Sequence, residues 1–147
     1  MKITRYASFA VIGLALFGAA CGGGASGGTG GDKSELETTT RTFIQSYSQG
    51  QSEKAYDLLS AQCQSQVSKD EFKAGSAIIA GFLGGKGKLD LKTFEVVEQS
   101  GDNAKVRVQV AATGLPAGVN PDDGKPTDGA LVKEKGHWRI ANCDCIL

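Results

Sequence analysis

The residues with the clearest chemical potential are three cysteines, Cys63 in the middle of the chain and Cys143 and Cys145 near its end. Alternate residues of a strand point to the same side, so Cys143 and Cys145 would both face a helix that carries Cys63. We predict a structural disulfide from Cys63 to Cys143 or to Cys145, and we favour Cys143 because it lies closer to the body of the predicted strand. Either bond would close a loop of about 80 residues.

A redox centre or a soft-metal site is the alternative for the same three thiols. The sequence has a single histidine, and no acidic cluster stands at a spacing that would complete a zinc set. We therefore predict no metal, no cofactor and no catalytic residue. Other polar groups are assigned to turns and solvated loops instead of sites, namely Lys86, Asp122, Asp123, Asp128 and His137.

The fourth cysteine, Cys21, follows a cationic start and an uncharged stretch over residues 6–20. This stretch ends in the letters FGAAC, which resemble the lipobox of bacterial lipoproteins, with Gly18 where that motif usually has leucine. The resemblance implies that residues 1–20 are a signal peptide and that the sulfur of Cys21 carries a diacyl lipid. The expected location is the extracytoplasmic face of the cell membrane, and the membrane is the expected partner through the lipid on Cys21.

Residues 21–32 are dominated by glycine and predict a flexible tether, because such a tract cannot bury enough surface to offset its ordering entropy. Residues 33–147 are long enough for one domain with a single core. Removal of residues 1–20 takes away Lys2 and Arg5 and leaves 14 basic against 16 acidic residues. A slightly negative chain argues against a nucleic-acid partner.

Three amphipathic helices are predicted ahead of the strands, each from a start signal and an apolar stripe at helical spacing. The first begins at a capping box from Ser34, the second runs from Ser52 and carries Cys63, and the third begins at a capping box from Ser68. The packing face of the third helix is expected to comprise Ile78, Ile79, Phe82 and Leu83. Each helix must therefore dock on another layer.

The period of the apolar residues then changes to that of strands. A first strand over 89–97 shifts its phase at Phe94, which predicts a bulge or bend, and a second strand over 104–112 alternates cleanly. Residues 114–129 predict a long loop, and a final hairpin follows over 130–143. The order predicts an α+β fold, with three N-terminal helices packed on a curved antiparallel sheet of about four strands.

This element order, with a last hairpin that reads VKEKGHWRI over residues 132–140, resembles the nuclear transport factor 2-like superfamily. More narrowly, the chain is similar to small lipid-anchored versions of that fold with DUF4878-type domains. The resemblance covers residues 33–145. It implies a curved sheet that wraps the helices into a cone, whose interior serves some members as a ligand pocket or active site.

Within such a cone, five aromatic residues are candidates for a pocket lining: Tyr47, Tyr56, Phe82, Phe94 and Trp138. Enzymes of the superfamily place a carboxylate base in the cone, whereas no acidic residue of this sequence falls on a predicted inward strand position. The first hypothesis is therefore a non-catalytic, lipid-anchored domain that acts through protein or envelope contacts. The second is a carrier or sensor of a small apolar ligand, and the third is an enzyme.

Overall fold

The computed structural model of the protein describes residues 30–115 and 124–143. The helices are α1 (Gly30–Ser48), α2 (Ser52–Tyr56), α3 (Ala61–Gln66) and α4 (Lys69–Phe82), and the strands are β1 (Lys88–Ser100), β2 (Asn103–Thr113), β3 (Thr127–Glu134) and β4 (His137–Ile140). The predicted signal peptide, Cys21, most of the tether, Asp122, Asp123 and Cys145 lie outside the described residues.

The four strands form one antiparallel sheet in the order β1-β2-β3-β4, which curls around helix α1 as a half-barrel. Strand β1 has register shifts against β2 between Leu91 and Thr93 and between Val96 and Glu98. These irregularities flank Phe94, where the sequence predicted a bulge, and bulges increase the local twist that lets a long strand bend. The helices and the sheet confirm the predicted α+β architecture.

Helix α1 begins at Gly30, one turn before the capping box that the sequence predicted at Ser34. The extra turn contains Asp32, an acid that favours the positive end of a helix dipole. Asp32 also accepts a hydrogen bond of 2.9 Å from the Lys133 ammonium of β3. The described helix thus includes residues 30–32, which the sequence assigned to the tether, and the ion pair ties this first turn to the sheet.

The predicted second helix is divided in two, so that the fold has four helices among its described residues where the sequence indicated three. The break lies at Leu59, which forms a parallel bridge with Ile140 of β4. The amide of Ser60 donates to the carbonyl of Ile140 at 2.9 Å, and the Ser60 side chain then caps α3 by accepting from the amide of Cys63. Hydrogen bonds to the edge strand thus replace those of a continuous helix.

Helix α4 begins at the capping box that the sequence predicted, with reciprocal bonds between Ser68 and Glu71. Its packing face was predicted partly wrongly. Leu83 is buried, but Ile78 and Phe82 are 71% and 75% exposed. The inward stripe follows Phe72, Ser76, Ile79 and Leu83, and this leaves Ile78 and Phe82 on a neighbouring stripe that no described element covers.

The main core lies where α1, α2, α3 and the start of α4 meet the sheet, and its largest buried side chains are Trp138, Phe72, Leu36, Leu59 and Val106. Strand β3 begins at Thr127, so the predicted loop over 114–129 ends earlier than expected. Pairing of Thr127 with Val108 and of Asp128 with Arg107 brings this segment into the sheet.

Candidate ligand cavity

A cleft of about 330 Å³ opens between helix α1 and the concave face of the sheet. It is lined by Thr40, Phe43, Ile44 and Tyr47 of α1, by Leu89 of β1, by Val106, Val108 and Val110 of β2, by Thr127, Asp128, Gly129, Ala130 and Leu131 of β3, and by Ile140 and Asn142. Most of these side chains are aliphatic or aromatic. The volume falls within the range of small-molecule pockets, which begins at roughly 300 Å³.

The helix wall of the cavity follows from the spacing of four residues on one face of α1, Thr40, Phe43, Ile44 and Tyr47. The rings of Phe43 and Tyr47 stack with their centroids 5.9 Å apart. The ring of Phe72 in α4 packs against the ring of Tyr47, with their centroids 5.1 Å apart. The hydroxyl of Thr40 donates to the carbonyl of Leu36 at 2.8 Å, so this polar side chain is satisfied within the helix.

The sheet wall comes from the alternation of strand β2, in which Val106, Val108 and Val110 point to the concave face. Lys105 precedes Val106, Arg107 follows it, and both are exposed on the other face. The period-2 pattern that the sequence analysis assigned to core packing therefore also supplies the sheet wall of the cavity.

Asp128 is a charged residue of the cavity lining, and its carboxylate is turned toward the outer face of the sheet, where Arg107 lies. Its carboxylate accepts hydrogen bonds from Arg107 at 2.8 and 3.3 Å and pairs with Lys105 at 3.3 Å. The hydrogen bond from Arg107 and then that from Lys105 hold the pKa of Asp128 below its usual value. A carboxylate in this setting is a weak proton acceptor.

The phenol of Tyr47 is the titratable group of α1 that lines the cavity. Burial raises the pKa of this hydroxyl, because the apolar surroundings disfavour the phenolate. The group therefore stays protonated at neutral pH, and its oxygen lies beside Gly75 of α4.

Of the five aromatic residues predicted to line a pocket, only Tyr47 is part of the cavity wall. Trp138 is fully buried in the main core, and Tyr56 and Phe94 pack against that core. The hydroxyl of Tyr56 lies within hydrogen-bond distance of the carbonyls of Gln64 and Val67, where it closes the end of α3. The prediction for Phe82 was wrong, because this ring faces outward from α4.

A disulfide joins Cys63 to Cys143, with the two Sγ atoms 2.04 Å apart. This is the pairing that the sequence analysis favoured. It occupies two of the three thiols that the redox or metal alternative required, and the described residues contain no cluster able to hold a metal ion. Asn142, next to Cys143, lines the cavity, so the bond fixes one edge of its wall.

Comparison with known proteins gives structural neighbours only. A protein of unknown function with a cystatin-like fold from Nostoc punctiforme superposes with a TM-score of 0.59 at 14% identity over 76% of this chain and 87% of its own. A proposed dehydratase of the NTF2-like family from Streptomyces avermitilis superposes with a TM-score of 0.52 at 14% identity, over 75% of this chain and 91% of its own. The fold is an NTF2-like cone.

A proposed aromatic ring hydroxylase from Novosphingobium aromaticivorans shares the fold with a TM-score of 0.55 at 11% identity, over 76% of this chain and 85% of its own. No protein-family profile and no curated protein matches the sequence. Identities this low establish the NTF2-like fold alone. Within the described residues, no helix is both long and apolar enough to cross a membrane.

Proposed function

We propose that this protein is a lipid-anchored, extracytoplasmic NTF2-like domain that binds a small apolar molecule in the cleft between α1 and the sheet. The observation that carries the proposal is the apolar cavity of about 330 Å³. At about 30 Å³ per water-sized volume, it has room for a molecule of roughly ten non-hydrogen atoms. The sequence alone favoured protein or envelope contacts over ligand binding, and the cavity reverses that order.

The expected ligand is apolar. Phe43, Ile44 and the valines of β2 offer apolar contact on both walls. The hydroxyl of Thr40 is used by its own helix, and the hydroxyl of Tyr47 lies beside Gly75 of α4. A cleft with these walls suits a small aromatic or aliphatic molecule.

The proposal contains no catalytic step, because Asp128 and Tyr47, the titratable groups among the described lining residues, are poorly suited to proton transfer. Asp128 is committed to Arg107 on the outer face of the sheet, and its pKa is lowered. The pKa of Tyr47 is raised, which weakens it as an acid. A general acid or base works best with a pKa near the operating pH, and both groups are shifted away from it.

Toluene is a suitable first probe of the cavity, with binding followed by ligand-observed NMR. Val108→Phe replaces an isopropyl group on the cavity wall by a phenyl ring that fills part of the cavity. It should weaken toluene binding at least about tenfold. Val97→Phe is the matched control, because Val97 is exposed on β1 and does not line the cavity. Equal binding by the wild type and Val108→Phe would show that toluene binds elsewhere and would contradict the proposed site.

The anchor is tested separately at Cys21. The sequence support for it is the FGAAC boundary and the glycine-rich segment that follows. The Cys21→Ala variant should lose the mass of the diacyl group and leave the membrane fraction, while toluene binding stays unchanged. Retention of this variant in the membrane with an unaltered mass would contradict lipidation and would leave the cavity proposal standing.

A further inference from the structure

Helix α4 carries an uncharged outer stripe that the described residues leave open to solvent. The stripe consists of Ala74, Ala77, Ile78, Gly81 and Phe82, all exposed, and we refer to it as the α4 patch. Ile78 and Phe82 are separated by one helical turn and are 71% and 75% exposed. Two neighbouring large apolar side chains in water indicate a contact surface more strongly than a single one does.

Lysines stand at both ends of the α4 patch. Lys73 precedes it and Lys86 follows it, and both are exposed. Neither has an ion-pair partner among the described residues, in contrast to Lys69, which pairs with Glu53, and Lys88, which pairs with Asp90. An apolar stripe with unpaired cations at its ends has the composition of helices that lie in the interface of anionic membranes.

We propose that the α4 patch docks on the surface of an anionic lipid bilayer, with Ile78 and Phe82 inserted among the lipids and Lys73 and Lys86 at the phosphate groups. The inference rests on the proposed lipid anchor at Cys21. Nine residue steps separate Cys21 from Gly30, and a chain of this length spans at most about 30 Å. The domain is thereby held close enough to the membrane for weak contacts to form repeatedly.

The tether length also agrees with the position of α4. The hydroxyl of Ser76 in α4 donates to the carbonyl of Tyr47 at 2.8 Å, so α4 lies at the C-terminal end of α1. Helix α1 has 19 residues and is about 28 Å long. A tether with a reach similar to this length permits α1 to lie along the membrane while the α4 patch touches it.

A second copy of this chain fits the α4 patch less well than a membrane does. The exposed parts of Ile78 and Phe82 amount to roughly 200–300 Å², given the size of such side chains. A stable protein interface buries about 800 Å² on each partner. Membrane docking needs no matching surface, because a few inserted side chains and cations are sufficient when a lipid already anchors the domain.

The test uses the acylated protein in vesicles of phosphatidylcholine and phosphatidylglycerol whose acyl chains carry bromine, a contact quencher of tryptophan. Phe82→Trp places an indole in the α4 patch, and its emission should be strongly quenched. Val97→Trp is the matched control, because Val97 is exposed on the sheet, and it should remain unquenched. The single native tryptophan, Trp138, is 1% exposed and gives a constant background.

Charge dependence provides the second readout. Replacement of Lys73 and Lys86 by glutamine in the Phe82→Trp background should weaken docking about fivefold for each lysine. Vesicles of phosphatidylcholine alone should give weak quenching with the lysines present. Equal quenching in both kinds of vesicle would overturn the assignment of the lysines to anionic headgroups.

Two results would overturn the inference as a whole. One is unquenched Phe82→Trp emission from protein whose diacyl mass on Cys21 has been verified. The other is a blue shift of the same emission in detergent, without vesicles, that grows with protein concentration, since this would show a second copy on the patch. Absence of the lipid from Cys21 contradicts the anchor itself and is distinguished from both by the mass.

Discussion

The disulfide between Cys63 and Cys143 joins helix α3 to the residue three positions past the end of strand β4. It closes a loop of 80 residues, and a bond across a loop this long removes much of the conformational entropy of the unfolded chain. We expect the Cys63→Ala/Cys143→Ala variant to lose about 2–4 kcal/mol of unfolding free energy, measured by urea denaturation. Cys145→Ala leaves the bond in place and should unfold like the wild type. A comparable loss in that control would assign the bridge to Cys145 instead.

Gly81 in the last turn of α4 and Gly87 just before β1 should respond to alanine in opposite directions. A Cβ at Gly81 meets no atom within 4 Å, so Gly81→Ala should stabilise the protein by up to about 1 kcal/mol through helix propensity. A Cβ at Gly87 would lie 2.2 Å from the carbonyl oxygen of Leu83. Gly87→Ala should therefore cost about 1–3 kcal/mol as the turn shifts to relieve the clash. Thermal unfolding of both variants compares the two effects, and a stabilised Gly87→Ala would show that this turn is not closely packed.

The sequence predicted the layers of the fold because its signals for them are local. The capping box at Ser68 and the alternation of β2 act within a few residues, and both appear in the structure. The start of α1 and the division at Leu59 depend on distant partners, namely Lys133 for Asp32 and Ile140 for Leu59. Periodicity carries no information about contacts across 80 or 100 residues, so these features could not be derived from it.

The cavity shows the same limit for a site. Tyr47 could be proposed from its type and helical spacing, but the sheet wall consists of valines that any buried strand would contain. Whether such valines touch a helix or face a cleft depends on the curvature of the sheet, which is set by the bulges of β1 and the lengths of all four strands. Phe82 illustrates the converse, because an apolar residue at helical spacing was predicted to pack and instead faces solvent.

The ion pairs of Asp128 should make a pH-dependent contribution to stability. Hydrogen bonds from Arg107 and Lys105 hold its pKa below the usual value of 3.8, so the folded state binds this proton less readily than the unfolded state does. The stabilisation is then complete above pH 3.8 and is lost as the pH falls through the lower folded pKa. Asp128→Asn should have a lower Tm than the wild type at pH 7, and the difference should vanish in stronger acid.

Arg107→Gln removes the main partner of Asp128 and provides the control for that pH dependence. It should lower the Tm at pH 7, as Asp128→Asn does. It should also reduce the change in Tm between pH 7 and stronger acid. Because the pair is exposed, 1 M salt should reduce both effects. A Tm difference between Asp128→Asn and the wild type that stays constant from pH 7 into acid would contradict the role of this carboxylate.

Trp138 offers a direct test of which aromatic side chains border the cavity. It is the single tryptophan of the chain, it is 1% exposed, and it is absent from the cavity wall. The Lys133 ammonium lies 5.5 Å from the ring centroid and helps to cover it. Its emission should therefore be blue-shifted, resist quenching by acrylamide and stay unchanged when toluene binds, because an indole in the packed core has no contact with a ligand in the cleft.

A tryptophan placed on the wall should behave differently. Phe43→Trp in a Trp138→Phe background puts the indole on the helix side of the cavity, where Phe43 stacks on Tyr47. Toluene should change the emission of this variant in proportion to its occupancy of the site. The opposite pattern, with toluene altering the emission of Trp138 and leaving that of Phe43→Trp constant, would place the ligand in the core where the sequence predicted Trp138 to line a pocket. Because the wild type and the Phe43→Trp variant report on the same ligand at the same concentrations, the comparison separates a cleft beneath α1 from a pocket around Trp138.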